Sequence, residues 1–300
     1  MIFCGQTLLF LGVLFLKNKK IIKYSIRLFL AAVILRCVQL LFFTMENTGF
    51  FITKFQTPAV IICFVIIGLI AAPFVMSLKG KRQPTHPPAN YKSICAAAYL
   101  IAFAILIEVL TNGFANAVSP LLILPYRIFG VLAAAAFAAY GCLGFVKNFS
   151  FLRGFMAITV VFAFFRLIIT FNCYSSLAGV TDSYFDIFMQ CTQLVFLLYF
   201  AKSVCFVKTE DSCFAVLPSC ILMLGFTAVN VIPKLVMYCV GKSEVVHHTP
   251  TYLFTNLALG IFGALYAYHM FSKKNFEVKR HSTVILSKEH ADVPDDSYLV

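Results

Sequence analysis

The chain has 300 residues, 61% of them hydrophobic and only 12% charged, against about 25% charged in ordinary soluble domains. Its mean hydropathy is +0.91, too apolar for one globular core to bury, which excludes a soluble domain and points to repeated membrane-spanning segments. The formal net charge is +12, but the basic residues lie in short stretches between apolar runs, so the excess reads as a membrane-insertion signal and not as a nucleic-acid surface.

In chain order the apolar runs are 2–16, 21–45, 57–78, 94–118, 121–146, 154–172, 186–207, 214–240 and 252–271. The fold class expected from them is an all-α integral membrane protein, a polytopic bundle of about nine transmembrane helices. The first run is short, and the count falls to eight if it does not span. It does not read as a signal peptide, because Lys17, Lys19, Lys20 and Lys23 follow its apolar stretch instead of preceding it. The alternate connections beginning with this one carry 18 of the 24 Lys and Arg residues, and the other connections carry only Lys54 and Lys242. Basic connections stay in the cytoplasm. The expected topology is therefore N-terminus out and C-terminus in, in the cell membrane.

Two cytoplasmic segments stand out. The stretch Lys79–Lys92 contains Gln83-Pro84-Thr85-His86-Pro87-Pro88 and reads as an extended connector. Residues 1–271 form one transmembrane domain. Residues 272–300 are polar, mixed in charge and expected to be a disordered tail. A parallel repeat of 21–146 on 154–271 is suggested by two pairs. Arg36 and Arg166 recur at nearly the same separation as Ile128-Phe129-Gly130 and Ile261-Phe262-Gly263.

Function is sought where polar groups enter apolar runs, because a charge in the bilayer is expensive and usually faces the bundle interior or water. Five charges stand out away from the run ends: Arg36, Glu108, Arg127, Arg166 and Lys234. Counted along the helical rise, Arg127, Arg166 and Lys234 lie about 9 Å from the outer end of their runs, and Arg36 and Glu108 about 14 Å. Polar neighbours follow at helical spacing. Glu108, Thr111, Asn112 and Asn116 share a face, as do Thr227, Asn230, Lys234 and Tyr238; Asp186, Gln190 and Gln193 open another run. Such stripes gain by turning toward one another. The expected site is an outward-facing, net-basic cavity lined by Arg36, Glu108, Asn112, Arg127, Arg166, Asn230 and Lys234, with Arg36 and Glu108 paired. The alternative is that each cation snorkels separately to head groups. Pro125 and Pro233, beside Arg127 and Lys234, free backbone carbonyls that discontinuous helices use at binding sites.

Several other chemistries find no support. No HExxH, GxGxxG, GxSxG or GxxxxGK[ST] motif occurs. His247-His248 with Glu244 is a weak metal candidate, because adjacent histidines cannot both face one metal from a single helix turn as an i, i+4 pair can. Asp182 and Asp186 read as acidic groups favouring a helix N-terminus. The 11 cysteines lie mostly in apolar runs and read as free thiols, although Cys173 and Cys239 lie near the expected outer face, where they could pair. No cofactor is expected. The similarity to small multi-span permeases is one of architecture, carried by no motif. The leading expectation is a transporter or permease subunit for a small anionic or zwitterionic solute. Its partners are then the bilayer, that solute or a lipid head group, and a further protein subunit. The alternatives are a non-transporting sensor, receptor or assembly subunit, and an intramembrane enzyme acting on a lipid-linked phosphate.

Overall fold

The computed structural model describes residues 19–45, 50–78, 92–111, 120–142, 152–175, 181–205, 210–242, 246 and 249–271. The first apolar run, most of the Pro-rich connector and the tail lie outside these residues. Eight long helices occupy the other runs: α1 (Lys19–Phe42), α2 (Gln56–Leu78), α3 (Lys92–Leu110), α4 (Pro120–Cys142), α5 (Ala157–Ser175), α6 (Thr181–Val204), α7 (Glu210–Val240) and α8 (Pro250–Phe271). A single helical turn, Leu152–Phe155, precedes α5. The described residues are otherwise without a strand, apart from one isolated antiparallel bridge between Thr44 and Phe51. Among the described residues six helices are, by length and composition, apolar enough to cross a membrane: α1 to α4, α6 and α7. The described part of α5 is a shorter apolar helix over Ala157–Asn172.

Local chemistry sets the ends. Pro250 opens α8, where its missing N–H would have had no intrahelical partner anyway. Gly241 closes α7 at φ 81°. Its N–H donates to Tyr238 O at 3.3 Å and the Lys242 N–H donates to Met237 O at 3.0 Å, the pair of bonds that ends a helix on a left-handed residue. Pro73, Pro125, Pro218 and Pro233 sit inside helices that continue through them. Between α1 and α2 the chain reverses through a short ribbon, with Met45 N–H donating to Phe50 O at 2.8 Å and Ile52 N–H to Phe43 O at 2.9 Å.

The helices α3, α4, α5, α6, α7 and α8 pack in that order, and α8 returns to α3, so they form a closed ring. The α1–α2 hairpin docks on the outside of α7. Pairwise contacts fix the directions. Thr255 Oγ1 donates to Ala104 O at 3.2 Å, and Ser93 Oγ lies 2.6 Å from His269 Nε2, so α3 and α8 run antiparallel. Cys220 Sγ bonds Gly263 O at 3.0 Å, while Thr227 abuts Gly260, so α7 and α8 do the same.

Side chains fill the ring in two layers. One layer is aromatic and comes from the C-terminal halves of α4, α6 and α8. Phe200 meets Phe262 and Tyr266 edge-to-face at centroid distances of 5.2 and 5.1 Å, and Tyr140 meets Phe200 at 5.3 Å. Edge-to-face geometry sets the positive ring edge against a negative ring face. The Tyr266 hydroxyl, buried among these rings, is matched by Ser203 Oγ at 2.9 Å. The other layer is polar. It lies where α3 and α7 end and where α4, α6 and α8 begin.

Candidate functional site

The polar layer is built around two buried ion pairs. In the first, Arg166 at mid-α5 donates from Nε to Glu108 Oε1 and from Nη2 to Glu108 Oε2, both at 2.9 Å. This parallel two-bond geometry is the strongest arrangement open to a guanidinium and a carboxylate. Tyr126 of α4 donates its hydroxyl to Glu108 Oε1 at 2.9 Å. The remaining Arg166 nitrogen, Nη1, donates to Asn256 Oδ1 of α8 at 2.8 Å and to Gln193 Oε1 of α6 at 3.3 Å. The guanidinium lies 4.7 Å from the centroid of the Tyr252 ring. Asn256 Oδ1 also accepts from Gln193 Nε2 at 3.0 Å and from Gln190 Nε2 at 3.4 Å, and Gln190 Nε2 donates to Tyr252 Oη at 2.9 Å. Five helices thus meet through one Arg–Glu pair.

In the second pair, Lys234 Nζ of α7 donates to both oxygens of Asp186 of α6, at 2.9 and 3.0 Å. Asn230, one turn before Lys234, donates from Nδ2 to Asp186 Oδ1 at 2.5 Å. Asp186 lies one turn before Gln190 on α6, so a single helical face carries both clusters. Arg36 of α1 enters beside them. It donates from Nη1 to Gln39 Oε1 at 2.6 Å and lies 4.3 Å from the centroid of the Phe185 ring. Gln39 Nε2 donates in turn to Ala59 O at 3.3 Å, tying α1 to α2. Arg36, Glu108, Arg166, Asp186 and Lys234 are each no more than 1% exposed.

Among the seven expected site residues, Arg36, Glu108, Arg166, Asn230 and Lys234 are brought into this layer. Arg127 is not: it stands on the exposed face of α4, one residue after the inward-facing Tyr126. Asn112 lies outside the described residues, as do Glu244, His247 and His248. The expected Arg36–Glu108 pair is replaced. Both Glu108 oxygens are engaged by Arg166 and Tyr126, and Arg36 bonds Gln39. The reason is direction and reach. Equal depth along two helices does not make their side chains face each other, and the long Arg166 side chain covers the one-turn difference in depth.

Asp186 also differs from its expected place. It is a counter-ion in the core and not a group spent on the α6 N-terminus. Sequence reading left Tyr126, Asp186, Gln190, Gln193, Tyr252 and Asn256 out of the site. Gln190 and Gln193 had the signal of helical spacing with Asp186. Thr255-Asn256 was also visible, as a polar pair inside an otherwise apolar run. Tyr126 and Tyr252 had none, since tyrosine is ordinary near membrane interfaces.

Beside the first pair is a small cavity lined by Arg166, Gln190 and Gln193 on its polar side and by Ile105, Phe137 and Leu259 among its apolar neighbours. It offers ≈ 10 Å³ to the centre of a water molecule, which is about the room one water occupies. Among the described residues no group of three or more His, Cys, Asp or Glu side chains is placed to hold a metal ion. No protein-family model, curated protein or solved structure matches the chain.

Proposed function

We propose that the chain is a multi-pass cell-membrane transporter or permease subunit for a small anionic or zwitterionic solute, with its N-terminus outside and its C-terminus in the cytoplasm. The observation that carries this reading is the gathering of five ionisable side chains from five helices into one buried layer. Intramembrane charges are costly to keep and mark solute or ion pathways. Three of the five are cations, which favours an anionic group as the visiting ligand. The basic connections flank the aromatic layer, so the polar layer lies toward the outside.

The chemistry of exchange follows from the first pair. The Arg166 fork matches any carboxylate, and here Glu108 fills it. A solute carboxylate binds by taking Glu108's place, and a proton taken up by Glu108 lowers the cost of leaving that carboxyl behind. Glu108 is then the coupling group and Arg166 the solute-binding group, with Gln193 and Asn256 holding the guanidinium in orientation.

The test is flux. Purified protein in liposomes, with no other component, should take up at least one labelled member of a panel of small carboxylates and amino acids. Uptake should be lost in Arg166→Lys, which keeps the charge but not the fork. Folded protein that moves no member of the panel would sink the transport reading. A second reading, a non-transporting sensor or assembly subunit, is favoured by one specific observation. Among the described residues the polar layer is closely packed, with both oxygens of Glu108 and of Asp186 engaged and a water-sized cavity beside the first pair. That reading requires a partner protein that co-purifies, and no flux.

A further inference from the structure

Among the described residues of α7 and α8, three buried polar atoms make no hydrogen bond within the protein: Thr227 Oγ1, Asn230 Oδ1 and Asn256 Nδ2. A buried polar group left without a hydrogen bond is costly, and in native structures nearly all such groups are matched by the protein or by ordered water. Their placement shows that they belong together. On α7 the residues Cys220, Met223, Thr227 and Asn230 follow one another at three- and four-residue steps and so share a face. On α8 the same holds for Asn256, Gly260 and Gly263. Cys220 and Met223 contact Gly263, and Thr227 contacts Gly260. Continuing this antiparallel register by one more turn sets Asn230 opposite Asn256. The three orphaned atoms therefore line one stretch of the α7–α8 seam.

They are also complementary. The Asn256 Oδ1 accepts from Arg166, Gln193 and Gln190, which fixes its amide with Nδ2 turned away from them. The Asn230 Nδ2 donates to Asp186, which fixes Oδ1 as its unmatched end. One side of the seam offers an N–H and the other an oxygen acceptor, with a hydroxyl that can do either one turn away. An anion would meet Asn230 Oδ1 and a cation would meet Asn256 Nδ2. A neutral group that both accepts and donates suits all three.

We infer that the α7–α8 seam holds a buried water site. A single water accepts from Asn256 Nδ2, donates to Asn230 Oδ1 and exchanges its third bond with Thr227 Oγ1. Three partners is the usual number for a buried water. The consequence is continuity. Asn256 belongs to the Glu108–Arg166 cluster and Asn230 to the Asp186–Lys234 cluster, so the water joins the two ion pairs into one hydrogen-bonded layer. This inference is independent of the transport reading, because a sensor or assembly subunit would have the same seam.

The test uses the full chain, isotopically labelled and reconstituted in lipid bilayers. Solid-state NMR measures transfer of magnetisation from water to the Asn256 side-chain amide. The expected result is a water cross-peak at that amide in the wild-type protein, lost or weakened in Thr227→Val. The same variant should melt at a lower temperature than the wild type. Removing an unsatisfied hydroxyl would do the reverse. Absence of the wild-type cross-peak, a cross-peak unchanged in Thr227→Val, or a direct Asn256–Asn230 hydrogen bond would each overturn the site.

Discussion

Glu108 and Arg166 show what a buried charge requires of its neighbours. Each is expelled from water, so each depends on the other and on the hydrogen bonds that complete the pair. Removing one partner leaves an uncompensated charge; removing both leaves an apolar gap. Glu108→Ala should therefore lower stability by about 3–5 kcal/mol. The double variant Glu108→Leu with Arg166→Leu should lose less, although it removes more native contacts. Thermal unfolding of both proteins in detergent checks this, and a double variant as unstable as the single one would mean the pair is not the source of the cost. Lys234 obeys the same rule, since its ammonium reaches both oxygens of Asp186 while its own side chain is buried.

At the level of helices, close approach depends on where glycine falls. Gly130 of α4 and Gly263 of α8 both lie at crossings. A Cβ on Gly130 would collide with Val109 Cγ2 and come within 3.1 Å of Phe162. A Cβ on Gly263 would collide with the end of the Met223 side chain. The two collisions differ in consequence. Valine is branched at Cβ and stiff, whereas methionine has three rotatable bonds and can move aside. Gly130→Ala should cost about 1–3 kcal/mol by overpacking. Gly68 of α2 is the control, because nothing lies within 4 Å of its added Cβ. Gly68→Ala should be neutral or stabilising by up to about 1 kcal/mol through helix propensity. Melting temperatures of the two variants should move in opposite directions or differ by the whole cost at Gly130.

For the whole molecule, a closed ring of six helices with a hairpin on its flank leaves an interior only as wide as side chains can fill. Polar and aromatic layers divide that interior between the two ends of the bundle, and the proposed orientation takes the sides of those ends from the flanking charges. The proposed orientation is open to labelling. Single cysteines at position 87 and position 295, in a cysteine-free background, should resist an impermeant thiol reagent on intact cells. Both should react once the membrane is permeabilised. Labelling of either from outside would reverse the assigned orientation.

The apolar runs were legible because the bilayer imposes a length and a composition on any helix within it, whatever the helix packs against. Eight of the nine runs reappear as helices, with ends shifted by a few residues where Pro250 and Gly241 set the boundary more sharply than hydropathy does. The polar stripes were legible for a similar reason: helical periodicity puts Asp186, Gln190 and Gln193 on one face whatever lies opposite. Which stripe meets which depends on the rotation of each helix about its own axis and on the order of helices around the ring. Neither is written in the spacing of residues along one chain. Hence Glu108 lies with Arg166 and not with Arg36, Asp186 serves Lys234, and Arg127 faces outward beside the inward Tyr126. Membrane insertion is a property of each segment and could be read locally. The pairing of charges is a property of contacts between segments, and only the packed ring decided it.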